Sequence, residues 1–481
     1  MKILFITAPY SFNDASFVDK KNIFSRRGVL PPLGLAYLSS VLEEKKHEIK
    51  ILDLQISHYS LKAILQIAKE FNPRLIGFSF MTPHKEMILK VINYLKTYLK
   101  ECFFIAGGPH VTCFSEEFLM ENESIDAAVI GEGEYILPEL VECLEFNKQL
   151  ETVKGIYFRK KNKIVKNPPS DKIVELETLP FPARHLLPIK RYIPEFFEYR
   201  ALPSTSMIAT RGCTYAKCTF CYRSGILKRP YRYQSPARTI QEIKLLIKNY
   251  QIKEIIFYDD DLFSNFNWIN EFCDLLHQER INILWSVRAR ANAIEYNLMK
   301  KAKENGCFAL EVGFESGNQH LLDKIKKGIT LDQCRRLSEF THKLGIELIG
   351  TFMLAIPGET PEDGQRTIDF AIELGCSYAA FIPTHPFPGT ELYEQCQHEG
   401  NFLGAVYNEK MQGSRYIPQV CFVPKGYAGK KEVRDIIKRA YLKFYLRKEY
   451  IFNHLRSIKS FSDISRYWEG IRFFQGLLMQ N

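Results

Sequence analysis

The chain has 481 residues, more than one ordinary domain needs and enough for two or three. Hydrophobic residues make up 46% and charged residues 25%, as in soluble globular proteins, and the modest net charge of +10 indicates no nucleic-acid partner. No apolar run is long enough to cross a membrane and the N-terminus lacks a signal peptide's pattern, so we expect a cytoplasmic protein.

Short apolar runs alternate with amphipathic stretches along residues 1–150. The predicted strands are 2–7, 48–54, 75–80, 102–108 and 126–134. The predicted helices are 32–44, 60–71, 84–99 and 135–146. Strands that alternate with helices form right-handed βαβ units, so this region is predicted to be a doubly wound, Rossmann-like α/β domain.

Small residues follow three of these strands, at the end of a parallel sheet where ligands bind. Glycine lets the backbone approach a ligand and small hydroxyls offer hydrogen bonds, although glycines also serve simply to make tight turns. No G-x-G-x-x-G follows the first strand, so an ordinary dinucleotide site is not expected. The candidate ligand-binding residues are Ser79, Thr82, Gly107, Gly108, Gly131 and Gly133.

Residues 151–200 are predicted to be a linker that contains a β-hairpin. The hairpin is expected in GIYFRKKNKIVKN, and Pro180, Pro182 and Pro188 punctuate the segment that follows. Proline punctuation with little periodicity is typical of a domain boundary.

Three of the twelve cysteines cluster in a loop after a predicted strand at 206–210. Cys213, Cys218 and Cys221 can hold one face of a 4Fe–4S cluster. Three protein ligands leave one iron open to the amino and carboxylate groups of S-adenosylmethionine, as its reductive cleavage requires. A structural zinc site is an alternative, but zinc normally takes four protein ligands. The scattered cysteines are expected to be buried thiols.

The βα alternation returns between residues 204 and 395. The predicted strands are 206–210, 254–260, 283–290, 308–316, 347–356 and 378–384. Six βα units predict a partial (β/α)6 barrel, whose chemistry lies at the carboxyl ends of its strands. Polar residues stand at these ends: an acidic triplet, 259–261, then Arg288, Glu315 and Ser316. A lone acidic triplet is usually a solvated turn, and the alternative at a strand end is that one or two of the three carboxylates face a cofactor.

The N-terminal sequence resembles the cobalamin-binding domain that is fused to many radical enzymes. The similar segments are PPLGLAYLSSVLEEKKHEIKILD, IAGGPHVT and VIGEGE, and the resemblance covers residues 1–145. It implies cobalamin, with its nucleotide tail along the strand ends. The D-x-H-x-x-G motif of some cobalamin domains is absent, so no histidine ligand is expected, although His110 lies near the rim.

The second half resembles the radical S-adenosylmethionine family with cobalamin domains, which includes anaerobic magnesium-protoporphyrin cyclase and class B radical methyltransferases. The similar segments are FYDDDLF, GFESGNQHLLDKIKKG, FMLAIPGETPED and PFPGTELY. The loop departs from the usual C-x3-C-x2-C by one residue, since it reads C-x4-C-x2-C. The resemblance implies that the three cysteines bind the cluster and that Glu315, Ser316 and Arg288 contact S-adenosylmethionine.

Residues 425–481 are basic and aromatic, with apolar residues at helical spacing. This pattern predicts a helical tail that caps the barrel, or alternatively a face that contacts an anionic membrane. The expected regions are 1–150 for cobalamin, 151–200 for the linker, 201–400 for the partial barrel and 401–481 for the tail.

The sequence therefore predicts a cobalamin-dependent radical S-adenosylmethionine enzyme that transfers a methyl group to an unactivated carbon. Radical cyclisation or ring contraction is an alternative reaction, and a non-catalytic iron–sulfur or cobalamin sensor is an alternative of another class. Methylthiolation is disfavoured, because it normally needs a second cluster. The expected partners are a small-molecule or lipid substrate and an electron donor such as flavodoxin or ferredoxin. No catalytic residue is assigned, and the sequence does not specify the substrate.

Overall fold

The computed structural model describes residues 1–9, 28–57, 59–161, 163–223, 229–293, 295–404, 420–456, 468 and 470. The chain divides into two compact units, Met1–Ile193 and Pro194–Asn481. This division falls inside the predicted linker 151–200. The bounds of the four predicted regions stay predictions.

A seven-stranded sheet forms the first unit, in the order β2-β1-β3-β4-β5-β6-β7. Its strands are β1 (Lys2–Thr7), β2 (Glu48–Leu52), β3 (Leu75–Ser79), β4 (Phe103–Gly107), β5 (Ala127–Val129), β6 (Ile156–Lys160) and β7 (Lys163–Lys166). Its helices are α1 (Leu33–Glu44), α2 (Leu61–Phe71), α3 (Lys85–Tyr98), α4 (Pro109–Cys113), α5 (Ser115–Glu121) and α6 (Ile136–Glu145).

The first five strands are parallel, and the predicted hairpin β6–β7 extends their edge in antiparallel fashion. The chain passes from β1 outward to β2 and then returns to β3 on the other side of β1. Such a reversal in strand order leaves a crevice at the carboxyl ends of the strands. The predicted doubly wound α/β fold is confirmed.

A parallel six-stranded sheet forms the second unit, in the order β15-β14-β13-β12-β11-β8. The strands of this unit are β8 (Ser204–Met207), β9 (Thr210–Arg211), β10 (Arg232–Tyr233), β11 (Glu254–Phe257), β12 (Leu284–Ala289), β13 (Cys307–Glu315), β14 (Glu347–Leu354), β15 (Tyr378–Pro383), β16 (Gly400–Phe402) and β17 (Phe422–Pro424). Each successive strand of the six adds to the same edge, which is the arrangement of the predicted partial barrel.

Helices cover one face of this sheet and continue to the end of the described chain. They are α7 (Pro236–Tyr250), α8 (Phe266–Gln278), α9 (Tyr296–Glu304), α10 (Gln319–Lys324), α11 (Leu331–Leu344), α12 (Pro361–Glu373), α13 (Glu391–His398), α14 (Lys430–Tyr445) and α15 (Lys448–Arg456). On β11, the Phe257 ring packs against Trp268 and Phe272 of α8, so this side chain faces the helices.

Two predicted boundaries differ from the structure. The first barrel strand, predicted at 206–210, is β8 at Ser204–Met207, and the next residues pair instead in the two-stranded ribbon β9–β10. No helix is predicted between the strands at 102–108 and 126–134, but the structure has the short helices α4 and α5 there, which begin where Gly108 adopts φ +93° and Pro109 starts a helix.

The predicted C-terminal helices are present as α14 and α15. Helix α14 packs on the sheet, where the Tyr445 and Tyr441 hydroxyls hydrogen-bond the backbone of Ala379 and Phe381 on β15. Residues 457–467, 469 and 471–481 of the basic tail lie outside the described residues. None of the helices in the described part of the chain is long and apolar enough to cross a bilayer.

A buried carboxylate fastens the last part of the first unit to its sheet. Asp53, after β2, accepts hydrogen bonds from the Thr7 hydroxyl at 2.6 Å and the Tyr192 hydroxyl at 2.7 Å. The Thr7 hydroxyl in turn accepts the Leu54 backbone N–H. Asp53 and Tyr192 are both buried, so this network joins residues that are far apart in the chain.

We therefore expect Tyr192→Phe to lower the free energy of unfolding of the first unit by about 1–3 kcal/mol, because it leaves a buried carboxylate oxygen without its donor. Denaturant unfolding of the full chain measures this. Tyr98→Phe is the matched control, since Tyr98 is exposed and should change stability little. Equal effects of the two substitutions would contradict a role for the Asp53 network.

Candidate functional site

The cysteine loop begins at the carboxyl end of β8, at the rim where parallel barrels place their chemistry. Cys218 is buried, whereas Cys213 and Cys221 are partly buried, and none of the three forms a disulfide bond. Among the described residues, no three His, Cys, Asp or Glu side chains converge as the ligands of a single metal ion do. The ligands of a cubane cluster can lie further apart than those of a single ion, because the cluster is wider.

The acidic triplet after β11 holds this loop in place. Asp259 Oδ1 accepts the backbone N–H of Ala209 at 3.0 Å and both the N–H and the hydroxyl of Thr210, the latter at 2.6 Å. Burial raises the pKa of Asp259 to about 7, and the hydrogen bonds from Thr210 and Ala209 oppose this rise. The end of β11 is thus joined to the ribbon that leads into the loop.

The next two carboxylates bind the loop itself. Asp260 accepts the Gly212 N–H at 3.2 Å and pairs with Arg223 at 2.8 Å. Asp261 accepts the Thr214 hydroxyl at 2.6 Å and the Cys213 thiol at 3.5 Å. Asp259 and Asp261 are both buried, so the expectation of a solvated turn is wrong for them.

Two buried cations lie beside Cys218. Arg290 donates from Nη2 to the Lys327 carbonyl at 2.6 Å, its Nη1 lies 4.0 Å from the Cys218 Sγ, and its guanidinium stacks on Tyr215 at 4.1 Å. Burial raises the pKa of the Cys218 thiol, while the charges of Lys327 and Arg290 act against that rise. The pocket therefore offers positive charge to a thiolate.

Glu315, at the end of β13, is engaged by Lys327. The Lys327 Nζ lies 2.8 Å from Glu315 Oε1, and both side chains are buried. Glu315 adopts φ +65°, which is unusual for a residue with a side chain. A Cβ at Gly313 would lie 2.5 Å from the Glu315 carboxylate and 2.9 Å from Lys327, so a side chain there would displace this ion pair.

The other two predicted S-adenosylmethionine contacts have different surroundings. The Ser316 hydroxyl is buried, 3.2 Å from the Thr367 hydroxyl, and accepts the Asn318 N–H. Arg288 pairs with Glu311 at 3.0 Å and lies over the Tyr258 ring at 4.0 Å. Arg290, two residues later, reaches the cysteine loop instead.

A cleft opens at the carboxyl ends of the strands in the first unit. Five of the six predicted residues line it, together with apolar side chains of β1, α1 and β5. The predicted residues on its walls are Ser79, Gly107, Gly108, Gly131 and Gly133. A Cβ at Gly133 would lie 3.0 Å from Leu38, so the glycines leave space that side chains would fill. Four of these five positions are glycines, so a ligand in the cleft can approach the backbone closely.

Thr82 and His110 do not line this cleft as the structure describes it. The Thr82 hydroxyl lies 3.2 Å from the His110 Nδ1. The His110 ring is buried among Phe80, Phe114 and Phe118. Burial lowers the pKa of His110 to about 4, so the imidazole is neutral near pH 7.

Comparison with known families identifies both units. The B12 binding domain matches residues 20–141, and the radical SAM superfamily matches residues 207–371. The chain is 31% identical to an uncharacterized methyltransferase of Pyrococcus horikoshii over 425 residues, which cover 88% of this chain and 90% of the relative.

Two further similarities extend over most of the chain. It is 24% identical to the anaerobic magnesium-protoporphyrin IX monomethyl ester cyclase of Rubrivivax gelatinosus, over 94% of this chain and 78% of the relative. Its fold matches the radical S-adenosylmethionine methyltransferase TsrM of Kitasatospora setae, solved with cobalamin and a [4Fe-4S] cluster, with a TM-score of 0.69 and 17% identity. That match covers 92% of this chain and 88% of the other.

The chain belongs to the radical S-adenosylmethionine enzymes that carry an N-terminal cobalamin-binding domain. The predicted family, enzyme class and three cofactors are thereby confirmed. The assignment of individual site residues stays a prediction.

The contact of Arg290 with Cys218 predicts an effect on cluster potential. In Arg290→Gln, the [4Fe–4S] cluster should form but have a more negative reduction potential, because a positive charge that favours the reduced form is gone. Arg290→Lys should stay closer to the parent chain, and surface Arg335→Gln should leave the potential unchanged. Redox titration followed by electron paramagnetic resonance measures this; an unchanged potential in Arg290→Gln would refute the role.

The cleft of the first unit predicts a selective loss of corrinoid. At Gly107 a Cβ would meet Val129 only at ordinary contact distances of 3.6–3.7 Å, so Gly107→Val should fold but narrow the cleft. We expect less bound cobalamin per chain, by absorbance after reconstitution and desalting, with an unchanged cluster content. Gly34→Val is the control, because a Cβ there meets nothing within 4 Å. Full corrinoid occupancy in Gly107→Val would place cobalamin elsewhere.

Proposed function

We propose that this chain methylates an unactivated carbon of a small molecule. When bound, the cofactors supply one-electron cleavage of S-adenosylmethionine to a 5′-deoxyadenosyl radical, hydrogen abstraction from the substrate carbon and a methyl group held on cobalamin. The observation that carries the proposal is the three-cysteine loop at the rim of the half-barrel, beside buried Arg290 and Lys327, in a chain whose other unit has a glycine-lined cleft.

Within this proposal, Cys213, Cys218 and Cys221 hold the cluster, and the acidic triplet after β11 keeps their loop at the rim. Asp259 fixes the start of the loop and Asp261 binds beside its first cysteine. The extra residue of C-x4-C-x2-C falls in 214–217, between the first two cysteines, where Thr214 is tied to Asp261 and Tyr215 supports Arg290.

Glu315 is proposed to bind the amino group of S-adenosylmethionine. Its carboxylate lies at the same rim and already accepts a hydrogen bond from the side-chain nitrogen of Lys327. The amino group of S-adenosylmethionine can donate to it in the same way. Ser316 supports this strand end through Asn318 and Thr367. Arg288 is left out of this role, because its guanidinium is bound by Glu311.

In the first unit, Ser79, Gly107, Gly108, Gly131 and Gly133 are proposed to hold the nucleotide tail of cobalamin. The Gly131 N–H is bound by the Thr112 hydroxyl at 3.1 Å, which fixes one wall of the cleft. Thr82 is engaged with His110 and supports that wall indirectly.

The electron for cleavage is proposed to come from a small redox protein such as flavodoxin or ferredoxin. A cytoplasmic location is part of this proposal. None of the twelve cysteines, all of which the structure describes, forms a disulfide bond, as is usual where thiols are kept reduced.

Radical cyclisation is the second candidate reaction, favoured by the similarity to the magnesium-protoporphyrin cyclase over 94% of this chain. The two reactions differ in the fate of the methyl group. Transfer of label from methyl-labelled S-adenosylmethionine to the substrate supports methylation, and a product without label supports cyclisation.

The first experiment is anaerobic reconstitution with iron, sulfide and cobalamin, followed by reduction in the presence of S-adenosylmethionine. We expect 5′-deoxyadenosine. Its absence in a preparation that holds the cluster would favour a non-catalytic sensor and refute the enzyme.

Replacing Cys213, Cys218 or Cys221 by alanine should remove the cluster's absorbance and the formation of 5′-deoxyadenosine, since each thiolate is needed to hold it. Cys307→Ala is the matched control, because that buried thiol lies on β13 away from the loop. Iron and sulfide content per chain measures the result. Retention of a complete cluster in any of the three variants would remove that cysteine from the ligand set.

A further inference from the structure

The concave face of the half-barrel carries a group of polar side chains, here called the floor patch: Glu198, Tyr258, Arg288 and Glu311. Arg288 on β12 and Glu311 on β13 are register partners, so both project from the same face of the sheet. Their neighbours Val287 and Leu310 align with Phe257, which faces α8. The patch therefore projects away from the helices.

A segment of the chain closes the sheet below this patch. The Phe196 and Phe197 rings pack on Tyr378 at the start of β15, each at 6.0 Å. Arg200 pairs with Glu347 at the start of β14, and its N–H donates to Glu254 at the start of β11. This segment crosses the amino ends of three strands, and it carries Glu198, whose pKa is raised by the charge of Glu311 and lowered by that of Arg288.

The side chains of the floor patch are accessible to solvent. Tyr258 is 41% exposed, and the Arg288 and Glu311 side chains are 26% and 34% exposed, although all three lie inside the curve of the sheet. Ile382, on the same face at the far strand β15, is also exposed. The space between these strands is therefore open to a ligand.

The charges of the patch are unbalanced. Arg288 donates from Nε to Glu311 at 3.0 Å and lies over Tyr258. Glu198 Oε2 accepts the backbone N–H of Glu195 at 3.0 Å. The patch thus holds two carboxylates, Glu198 and Glu311, and one guanidinium, Arg288, which is paired with Glu311. Removal from bulk water, with the Glu311 carboxylate nearby, raises the pKa of Glu198 to about 7, as expected for a carboxylate that lacks a full counter-charge.

We propose that the floor patch binds a cationic nitrogen of the substrate, so that the substrate is a polar amine and not an unfunctionalised hydrocarbon lipid. A hydrocarbon placed against these groups would remove water from charged atoms without replacing its hydrogen bonds, which is unfavourable. An ammonium group supplies the missing positive charge and donates to both carboxylates.

The patch also limits the size of the substrate. Glu311 precedes Glu315, at the rim, by four residues on β13, which is about 13 Å along a strand. The nitrogen at the floor and the carbon that reacts at the rim are therefore separated by about that distance or less. The identification of the reacting end rests on the proposed function, whereas the charge preference of the floor patch does not.

The test is equilibrium dialysis of the reconstituted, unreduced holoenzyme with S-adenosylmethionine against three matched probes: hexylammonium, hexanol and hexanoate. We expect hexylammonium to bind at least about tenfold more tightly than the other two, the value of one hydrogen bond to a charged group. Equal binding of all three, a preference for hexanoate, or no binding of hexylammonium would overturn the proposal.

Variants locate the binding site. Glu198→Gln and Glu311→Gln should each weaken hexylammonium binding by about tenfold, and Glu198→Asp should keep the charge preference. Glu279→Gln is the control, since Glu279 is an exposed carboxylate paired with Lys244 outside the sheet. Full hexylammonium binding in Glu198→Gln, which leaves the Arg288–Glu311 pair intact, would overturn the assignment even if Glu311→Gln failed to fold.

The two proposals can fail separately. Loss of 5′-deoxyadenosine formation in the unaltered chain counts against the proposed reaction, whatever the probes do. Normal 5′-deoxyadenosine formation without a preference for hexylammonium counts against the floor patch alone.

Discussion

The carboxylate of Asp259 determines where the cysteine loop can lie. It has one oxygen bound to three donors from residues 209 and 210, and its other oxygen has no hydrogen-bond partner among the described residues. A buried charge is costly unless several donors satisfy it, so these bonds are strongly preferred to any alternative. The chain that leaves β8 must therefore return to the end of β11 before the first cysteine.

The rest of the rim depends on that attachment. Once the ribbon β9–β10 is fixed, Asp261 can reach Cys213 and Thr214, and the loop brings Cys218 against Arg290, which follows β12. Arg290 then holds the Lys327 carbonyl, and Lys327 holds Glu315 at the end of β13. Side chains from four separate strand ends thus form one connected polar network around the three thiols.

The sequence predicts those parts of the molecule that follow from local pattern. Apolar periodicity identifies the strands of both sheets, and glycine after a strand identifies most of the cleft in the first unit. Thr82 is the predicted residue that does not line the cleft. Its hydroxyl contacts His110, whose position depends on helix α4, and the apolar pattern does not predict that helix. Local propensity predicts a turn for an acidic triplet. However, the residues that hydrogen-bond the buried Asp259 lie about fifty residues away in the sequence.

The position of Lys327 also depends on tertiary contacts that the sequence pattern does not show. It stands in the phrase KIKKG, where three lysines look alike, yet Lys324 and Lys326 pair with Glu399 and Glu391 at partly exposed positions. Lys327 alone of the three turns inward, because the chain after α10 folds back beneath β13 and Gly313 leaves room for it. That choice depends on tertiary packing and cannot be read from spacing.

The pairing of Lys327 with Glu315 also bears on the proposed binding of S-adenosylmethionine. The amino and carboxylate groups that would bind the open iron can also contact these two residues. An iron-bound amino group would keep N–H groups that can donate to Glu315, and the carboxylate would keep an oxygen that can accept from Lys327. Glu315 and Lys327 would then each exchange one hydrogen-bond partner for another, and the positive charge of Lys327 would stay beside Cys218.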